Sequence, residues 1–171
     1  NYALDALTSG DYNIAIGLNA AGVNTTGSNN TAIGFETLDA NTTGDNNIAI
    51  GRNCLGSNTT GATNTAIGSN ALAANTTADA NTAVGRSSML SNSTGTSNVA
   101  VGFDSLKTNT TANNNTAIGA YSLQVNTTGS ENTAVGQSAL QGNTTGANNI
   151  AVGKNTMLAN TTGTRNIAIG N

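Results

Sequence analysis

A strict 17-residue repeat, with no residue gained or lost between copies, is the feature that most limits how this chain can fold. Each copy contains the phrase Ala-Ile/Val-Gly, as in "NTAIG" at 30–34 and "NIAVG" at 149–153. A fixed period means that each copy is one structural step. We therefore expect 1–171 to be a single array, and a piece of a longer protein because it opens on Asn rather than Met. The closing glycines are Gly17, Gly34, Gly51, Gly68, Gly85, Gly102, Gly119, Gly136, Gly153 and Gly170.

The columns of the repeat differ in what they tolerate. With the closing glycine as position 0, position −4 is always Asn, −2 is always Ala and −1 is always Ile or Val. Position +4 is Leu or Met in eight of nine copies, with Ala21 the exception, and +7 is Asn in all nine. Position +1 changes freely, for example from Phe35 to Arg52 to Gln137. We expect the constant columns to hold the structure and the variable columns to face solvent.

Each copy favours β structure over helix. Apolar residues do not recur with helical spacing, and Gly, Asn and Thr stand where a helix would have to propagate. Positions −3 to −1 alternate as a strand does, the glycine permits a turn, +1 to +6 predict a second strand, and "NTTG" turns the chain back. The sequence thus predicts an all-β fold, a β-solenoid of ten 17-residue coils with two short strands each. Strand spacing makes this a rod of roughly 45–50 Å.

Two apolar columns, −1 and +4, are predicted to stack on themselves and fill a narrow core. An aspartate at Ile67 should then disrupt local packing, because it would place an unpaired charge in the core. The Asn columns at −4 and +7 are predicted to form ladders, each amide bonding to its copy in the next coil. The predicted core comprises Ile16, Ile33, Leu38, Ile50, Leu55, Ile67, Leu72, Val84, Met89, Val101, Leu106, Ile118, Leu123, Val135, Leu140, Val152, Met157 and Ile169.

The invariant alanines at −2 are predicted to form an oligomer interface. Strand alternation places −2 opposite −1 and −3, hence outside a core that those two positions fill. An exposed column would accept larger residues, so the constant methyl group indicates close approach of a second copy around a symmetry axis. The predicted interface is Ala15, Ala32, Ala49, Ala66, Ala83, Ala100, Ala117, Ala134, Ala151 and Ala168.

The variable columns +1 and +2 are where recognition of another molecule could occur. Large and charged side chains there would protrude at the coil edges, although we favour neutral variation at exposed positions as their explanation. The candidate ligand-facing residues are Phe35, Arg52, Arg86, Phe103, Tyr121 and Lys154.

Composition argues against several functional classes. The chain has no His, which removes Ser–His and Cys–His catalysis and the commonest zinc ligand. Cys54 stands in a column of small residues, and nothing marks Glu36 and Asp39 as a catalytic pair. Glu36 and Asp104 would lie four coils apart, about 19 Å, which is too far to cooperate. Net charge is −3, with no basic run for nucleic acid, and no apolar stretch reaches the ~20 residues of a membrane span. We expect no enzyme activity, no cofactor and no metal.

The "NTTG" corner permits two other interpretations. Nine N-[TS]-T triplets, from Asn24 to Asn160, match the glycosylation sequon, but neighbouring copies would lie only about 4.8 Å apart, too close for a glycan on every coil. We favour an Asn ladder, with sparse glycosylation left open. The nearly pure Thr columns at +8 and +9 could instead form the regular Thr ranks of an ice-binding β-roll, although a corner is not a flat face.

The "NTAIG" and "NIAVG" phrases resemble the head repeats of YadA-like trimeric autotransporter adhesins. The longer "NTAIGSNALAANTT" at 64–77 is similar to β-roll arrays of phage tail fibres. The resemblance implies a left-handed parallel β-roll in a homotrimer that acts as a stiff rod or adhesive head. It departs from the adhesin heads in its longer period, and this segment has no neck, coiled-coil stalk or anchor.

The resulting expectation is a structural fibre or adhesin segment outside a cell or on a virion. Its partners would be further copies of itself, as a homotrimer or an end-to-end filament, and a host-surface receptor or glycan. Open strand edges at the ends, where Leu7 replaces Asn at +7 and Asn171 stops mid-coil, indicate either a longer native chain or end-to-end stacking into filaments. We expect neither nucleic-acid binding nor membrane insertion by this segment.

Overall fold

The computed structural model describes residues 2–171, which wind as successive 17-residue coils around one narrow core. Each coil contributes one three-residue strand, and residues 2–171 contain no helix. The strands are β1 (Ile14–Ile16), β2 (Thr31–Ile33), β3 (Ile48–Ile50), β4 (Thr65–Ile67), β5 (Thr82–Val84), β6 (Val99–Val101), β7 (Thr116–Ile118), β8 (Thr133–Val135), β9 (Ile150–Val152) and β10 (Ile167–Ile169).

The ten strands form one parallel sheet in chain order, β1 to β10. Each residue pairs with the residue of the same column in the next coil, so that Ala32 lies beside Ala49 and Ile33 beside Ile50. Backbone hydrogen bonds such as Thr31 N–H to Asn47 O, at 2.8 Å, join successive coils. This confirms the predicted parallel β-solenoid and its 17-residue turn.

The segment from +1 to +6 is not the second strand that we predicted. It is a run of turns in which +2 and +4 have left-handed backbone conformations, as at Glu36 (φ 51°) and Leu38 (φ 54°). Neighbouring coils still satisfy its backbone groups: Glu36 N–H donates to Leu18 O at 3.0 Å, and Leu38 N–H donates to Cys54 O at 2.9 Å. The conformation costs free energy for a leucine, but the hydrogen bonds to both adjacent coils hold it in place.

The core holds the +4 column as predicted and the −2 column against prediction. Leu and Met at +4 are fully buried in seven coils, and Met157 packs partly buried at the end of the core. They face the alanines at −2 and the small residues at +3, such as Cys54 and Ala71. The buried +4 residues are Leu38, Leu55, Leu72, Met89, Leu106, Leu123 and Leu140.

Our prediction that the −1 column lies in the core is wrong. These side chains are at least partly exposed, to 37% at Ile67 and 40% at Ile118. The side chains alternate along the strand as predicted, but the two faces are exchanged: −2 points into the core, and −3 and −1 point outward. With leucine filling the core from one wall, only a methyl group fits opposite, and the larger residues must point outward. The residues concerned are Ile16, Ile33, Ile50, Ile67, Val84, Val101, Ile118, Val135, Val152 and Ile169.

For the same reason the alanines cannot form an oligomer interface. In the eight inner coils their exposure is 0%, Ala15 packs against the same core, and Ala168 is half-buried. Space inside the coil, not the approach of a second copy, excludes larger residues. The inner-coil residues are Ala32, Ala49, Ala66, Ala83, Ala100, Ala117, Ala134 and Ala151.

Two columns of buried asparagines run along the solenoid and confirm the predicted Asn ladders. In the +7 column, Asn41 Nδ2 donates to Asn24 Oδ1 at 2.9 Å and to Gly44 O at 3.0 Å. In the −4 column, Asn47 Nδ2 donates to Asn30 Oδ1 at 3.1 Å and to Gly61 O at 2.9 Å. Across 2–171, no buried side-chain nitrogen or oxygen lacks a hydrogen-bond partner. The ladders therefore satisfy the polar groups of the buried asparagine columns.

Candidate interaction surfaces

The outward side of the sheet is a continuous surface of β-branched residues, which we call the β-branched face. It consists of positions −3 and −1 of β1 to β10, twenty positions that hold only Ile, Val or Thr. Fifteen are Ile or Val, and the five threonines are all at −3. Parallel pairing in register places these side chains in two straight rows along the rod. β-Branched side chains have few rotamers, so the side chains of this face are conformationally restricted.

The β-branched face leaves apolar side chains exposed along the length of the rod. Ile48 is 41% exposed, and Ile67, Ile118 and Ile150 are also among the exposed large hydrophobic residues. Ten strands make the face about 45 Å long, since strands lie about 4.8 Å apart. Contiguous apolar surface of this extent typically marks an interaction site. The sequence does not reveal this surface directly, because Ile and Val at −1 suit a core equally well, although the threonines at −3 indicate an outward column.

A second surface lies at the corner formed by +1 and +2, where three consecutive coils carry large side chains in contact. The Arg86 guanidinium carbon lies 5.4 Å from the ring centre of Phe103. The Phe103 ring in turn meets that of Tyr121 edge-to-face, with centres 5.3 Å apart and planes at 82°. Such cation–π and aromatic pairs contribute about 0.5–1.5 kcal/mol each. The structure thus groups three of the six candidate ligand-facing residues into one cluster.

The other three candidates lie apart from that cluster. Phe35 and Arg52 are exposed four and three coils before Phe103 in the same column, and Lys154 is exposed three coils after it. Next to the cluster, Lys107 Nζ donates to Asp104 Oδ2 at 2.9 Å, which adds an ion pair to this corner. The corner therefore has one aromatic and charged patch rather than an evenly decorated edge.

The nine N-[TS]-T triplets are structural. The asparagine side chain is fully buried in eight of them. Asn160 is half-buried, and its Nδ2 donates to Asn143 Oδ1 at 2.9 Å. The threonine or serine at +8 also bonds between coils, as Thr25 Oγ1 does to Thr42 O at 3.0 Å. Only the +9 threonines are exposed throughout. The triplets thus build the corner and the ladder, and the eight fully buried asparagines are out of reach of a modifying enzyme in the folded chain.

The surroundings of Cys54 and of the acidic residues bear on catalysis and metal binding. The Cys54 thiol is buried and contacts the carbonyl oxygens of Ile50 and Gly68, and burial raises its pKa, which disfavours the reactive thiolate. Asp104 is paired with Lys107, and burial raises the pKa of Asp39. In this part of the chain, no three Cys, Asp or Glu residues are grouped as a metal would require. Nor is there a helix long and apolar enough to cross a membrane.

No known protein family, no curated protein and no solved structure matches this chain.

Proposed function

We propose that this chain is the rod segment of a structural fibre that associates side by side with copies of itself, outside a cell or on a virion. The observation that carries the proposal is the β-branched face, in which all twenty outward sheet positions are Ile, Val or Thr. Covering it with the same face of another copy would remove its aliphatic groups from water, at roughly 25 cal/mol per Å² of apolar area.

Symmetry favours a closed assembly of identical copies. The same straight rows occur on every copy, so they can pack around a rotation axis parallel to the rod, as in a homotrimer. Only 8% of the residues are charged, which leaves little like-charge repulsion against such packing. In this arrangement the β-branched face, rather than the alanine column, is the interface, and the corner at Phe103 stays outside.

The role of the corner follows from its position. Arg, Phe and Tyr are the residue types enriched where proteins bind other molecules. We propose that the cluster of Arg86, Phe103 and Tyr121 is where the fibre attaches to a receptor or glycan, while the regular columns supply stiffness.

Charge placed on the β-branched face tests the assembly. The double variant Ile67→Lys/Ile118→Lys should stay monomeric by sedimentation velocity at concentrations where the parent forms trimers or larger assemblies. The control is Thr60→Lys/Thr111→Lys, which adds the same charge at exposed +9 positions and should leave association unchanged. Equal circular dichroism spectra establish that all three proteins are folded. A parent that stays monomeric at about 0.1 mM, far above the affinities of stable oligomers, contradicts the proposal.

Ice binding is the second candidate, because the +9 threonines are exposed in every coil and the β-branched face adds five more threonines in one row. Both are regular, stiff arrays with hydroxyl and methyl groups. Thermal hysteresis by the dilute monomer, abolished by the Ile67→Lys/Ile118→Lys variant, would favour this function over self-association. Ice crystals that grow without facets in the presence of the protein would exclude an ice-binding function.

A further inference from the structure

Two asparagines outside the ladders combine the glycosylation sequon with an exposed side chain. Asn29-Asn30-Thr31 and Asn114-Asn115-Thr116 both have the form N-x-T, and neither belongs to the "NTTG" series. The first asparagine of each lies at position −5, just before the strand, where the side chain is exposed in every coil. We propose that Asn29 and Asn114 are the N-glycosylation acceptor sites of the folded chain.

The accessibility of the two kinds of sequon is opposite. In Asn24-Thr25-Thr26 the asparagine is fully buried and the threonine at +9 is exposed, so the acceptor nitrogen is out of reach. In Asn29-Asn30-Thr31 the acceptor Asn29 is exposed, Thr31 is partly exposed, and the residue between them is the one that points into the core. Both groups that define the sequon thus reach the surface of the single chain together, so modification has to precede the side-by-side association that would cover Thr31.

The backbone at the acceptor favours an enzyme's approach. Asn29 and Asn114 have left-handed φ values of 58°, which place them at a turn where the chain enters the strand. Exposed turns of this kind are where glycosylation acceptors of folded proteins lie. The ladders do not hold these two residues, so a substituent on Asn29 or Asn114 breaks none of the buried amide bonds.

Spacing removes the objection that excludes glycans from the +7 column. Asn29 and Asn114 are 85 residues apart, which is five coils, or about 24 Å along the same rim of the rod. Two glycans at that separation can both be accommodated.

The bond chemistry is that of any N-glycosylation: the Asn Nδ2 bonds to the anomeric carbon of a sugar activated as a diphosphate ester. The carbon–oxygen bond to the diphosphate breaks, and the amide gives up one proton.

The experiment uses the folded chain with UDP-glucose and a soluble N-glycosyltransferase that recognises N-x-[ST], followed by peptide mapping by mass spectrometry. We expect two hexoses on the native protein, at Asn29 and Asn114. The same chain unfolded in mild denaturant should also be modified at the "NTTG" asparagines, which shows that fold rather than sequence restricts the sites. Modification of the eight buried asparagines in the native chain as fast as Asn29 overturns the inference. So does a native chain unmodified at Asn29 and Asn114 when the unfolded chain is modified there.

Matched variants exchange residues that the −3 column already contains. Thr31→Val should abolish modification at Asn29, because it removes the threonine of the sequon. Valine should be tolerated there, since Val99 occupies the same column. Ile48→Thr should create a new site at Asn46, which is exposed at −5 and followed by Asn47. Both should keep the parent's circular dichroism spectrum. Failure of Ile48→Thr to gain a hexose would show that exposure at −5 is not sufficient and would refute the positional argument.

Discussion

At the scale of single residues, size decides which side of a strand faces the core. Ala100 and Val101 are neighbours in β6, yet Ala100 is fully buried and Val101 is partly exposed. Leu106 fills the core from the +4 column of the same coil, which leaves room for only a methyl group at −2. Because a protein interior is packed about as densely as a crystal, a larger residue at −2 could not be accommodated without displacing its neighbours.

Lysine substitutions at these two neighbours test the inverted core. Ala100→Lys should lower the free energy of unfolding by about 3–5 kcal/mol, because it places an unpaired charge among buried alkyl groups. Val101→Lys should cost about 1 kcal/mol or less, since its side chain points to solvent. Urea denaturation measured on monomer, at low concentration, gives both values. Equal losses for the two variants would show that the faces have been assigned wrongly.

At the scale of the coil, two glycine columns differ in how strictly glycine is required. Gly68, at position 0, has φ +128°, and a Cβ there would lie 2.7 Å from the carbonyl carbon and oxygen of Gly85. Gly61, at +10, would also bring a Cβ within 2.5 Å of Ala78 O, but its φ is not positive. Ala78 and Ala112 occupy the same +10 column, so that corner can shift to accept a methyl group. The corner at position 0 must satisfy both a backbone angle and a close approach between coils.

Paired glycine-to-alanine variants test this distinction. Gly68→Ala should destabilise the protein by at least about 1–3 kcal/mol, from the unfavourable φ alone, with the clash added to it. Gly61→Ala should change stability by about 0.5 kcal/mol or less. Thermal unfolding followed by circular dichroism separates them. A Gly68→Ala protein that melts with the parent would disprove the requirement at position 0.

At the scale of the whole molecule, the interior is held together by amides that do not titrate. The +7 ladder passes through every coil from Asn24 to Asn160, and the −4 ladder runs parallel to it. The chain has no His and only 8% charged residues, so few groups change charge near neutral pH. A solenoid's stability is the sum of such coil-to-coil contacts, so each rung contributes to the stability of the rod as a whole.

The stability of the parent should therefore vary little between about pH 5 and 9, and a carboxylate in the ladder should change that. Asn75 Nδ2 donates to Asn58 Oδ1 at 2.8 Å and to Ala78 O at 3.1 Å, and an aspartate ionised there can donate to neither. Burial raises the folded-state pKa of Asn75→Asp above the unfolded value of about 3.9. Its electrostatic penalty is thus absent below about pH 4 and grows as pH rises through the unfolded pKa towards the folded one.

Urea midpoints measured across this pH range provide the test. We expect a nearly flat profile for the parent, with a small loss as pH rises through the raised pKa of Asp39. The Asn75→Asp profile should fall steadily from acid to neutral pH. The control Thr77→Asp adds a carboxylate at an exposed +9 position of the same coil and should follow the parent. A flat Asn75→Asp profile would mean that the ladder amide is not buried as described.

The sequence by itself determined the period, the strand at −3 to −1, the asparagine ladders and the leucine column, because each repeats in a fixed place. It did not determine which of the two alternating faces of the strand points into the core. A period of two is unchanged when the faces are exchanged, and Ala and Ile are both apolar. Only the width of the core opposite Leu38 decides that Ala32 enters it. The left-handed turn at Leu38 likewise depends on hydrogen bonds from adjacent coils. The grouping of Arg86, Phe103 and Tyr121 depends on how stacking brings residues 17 and 18 apart into contact. These features are set by distances across the coil and between coils, and such distances exist only once the chain has folded.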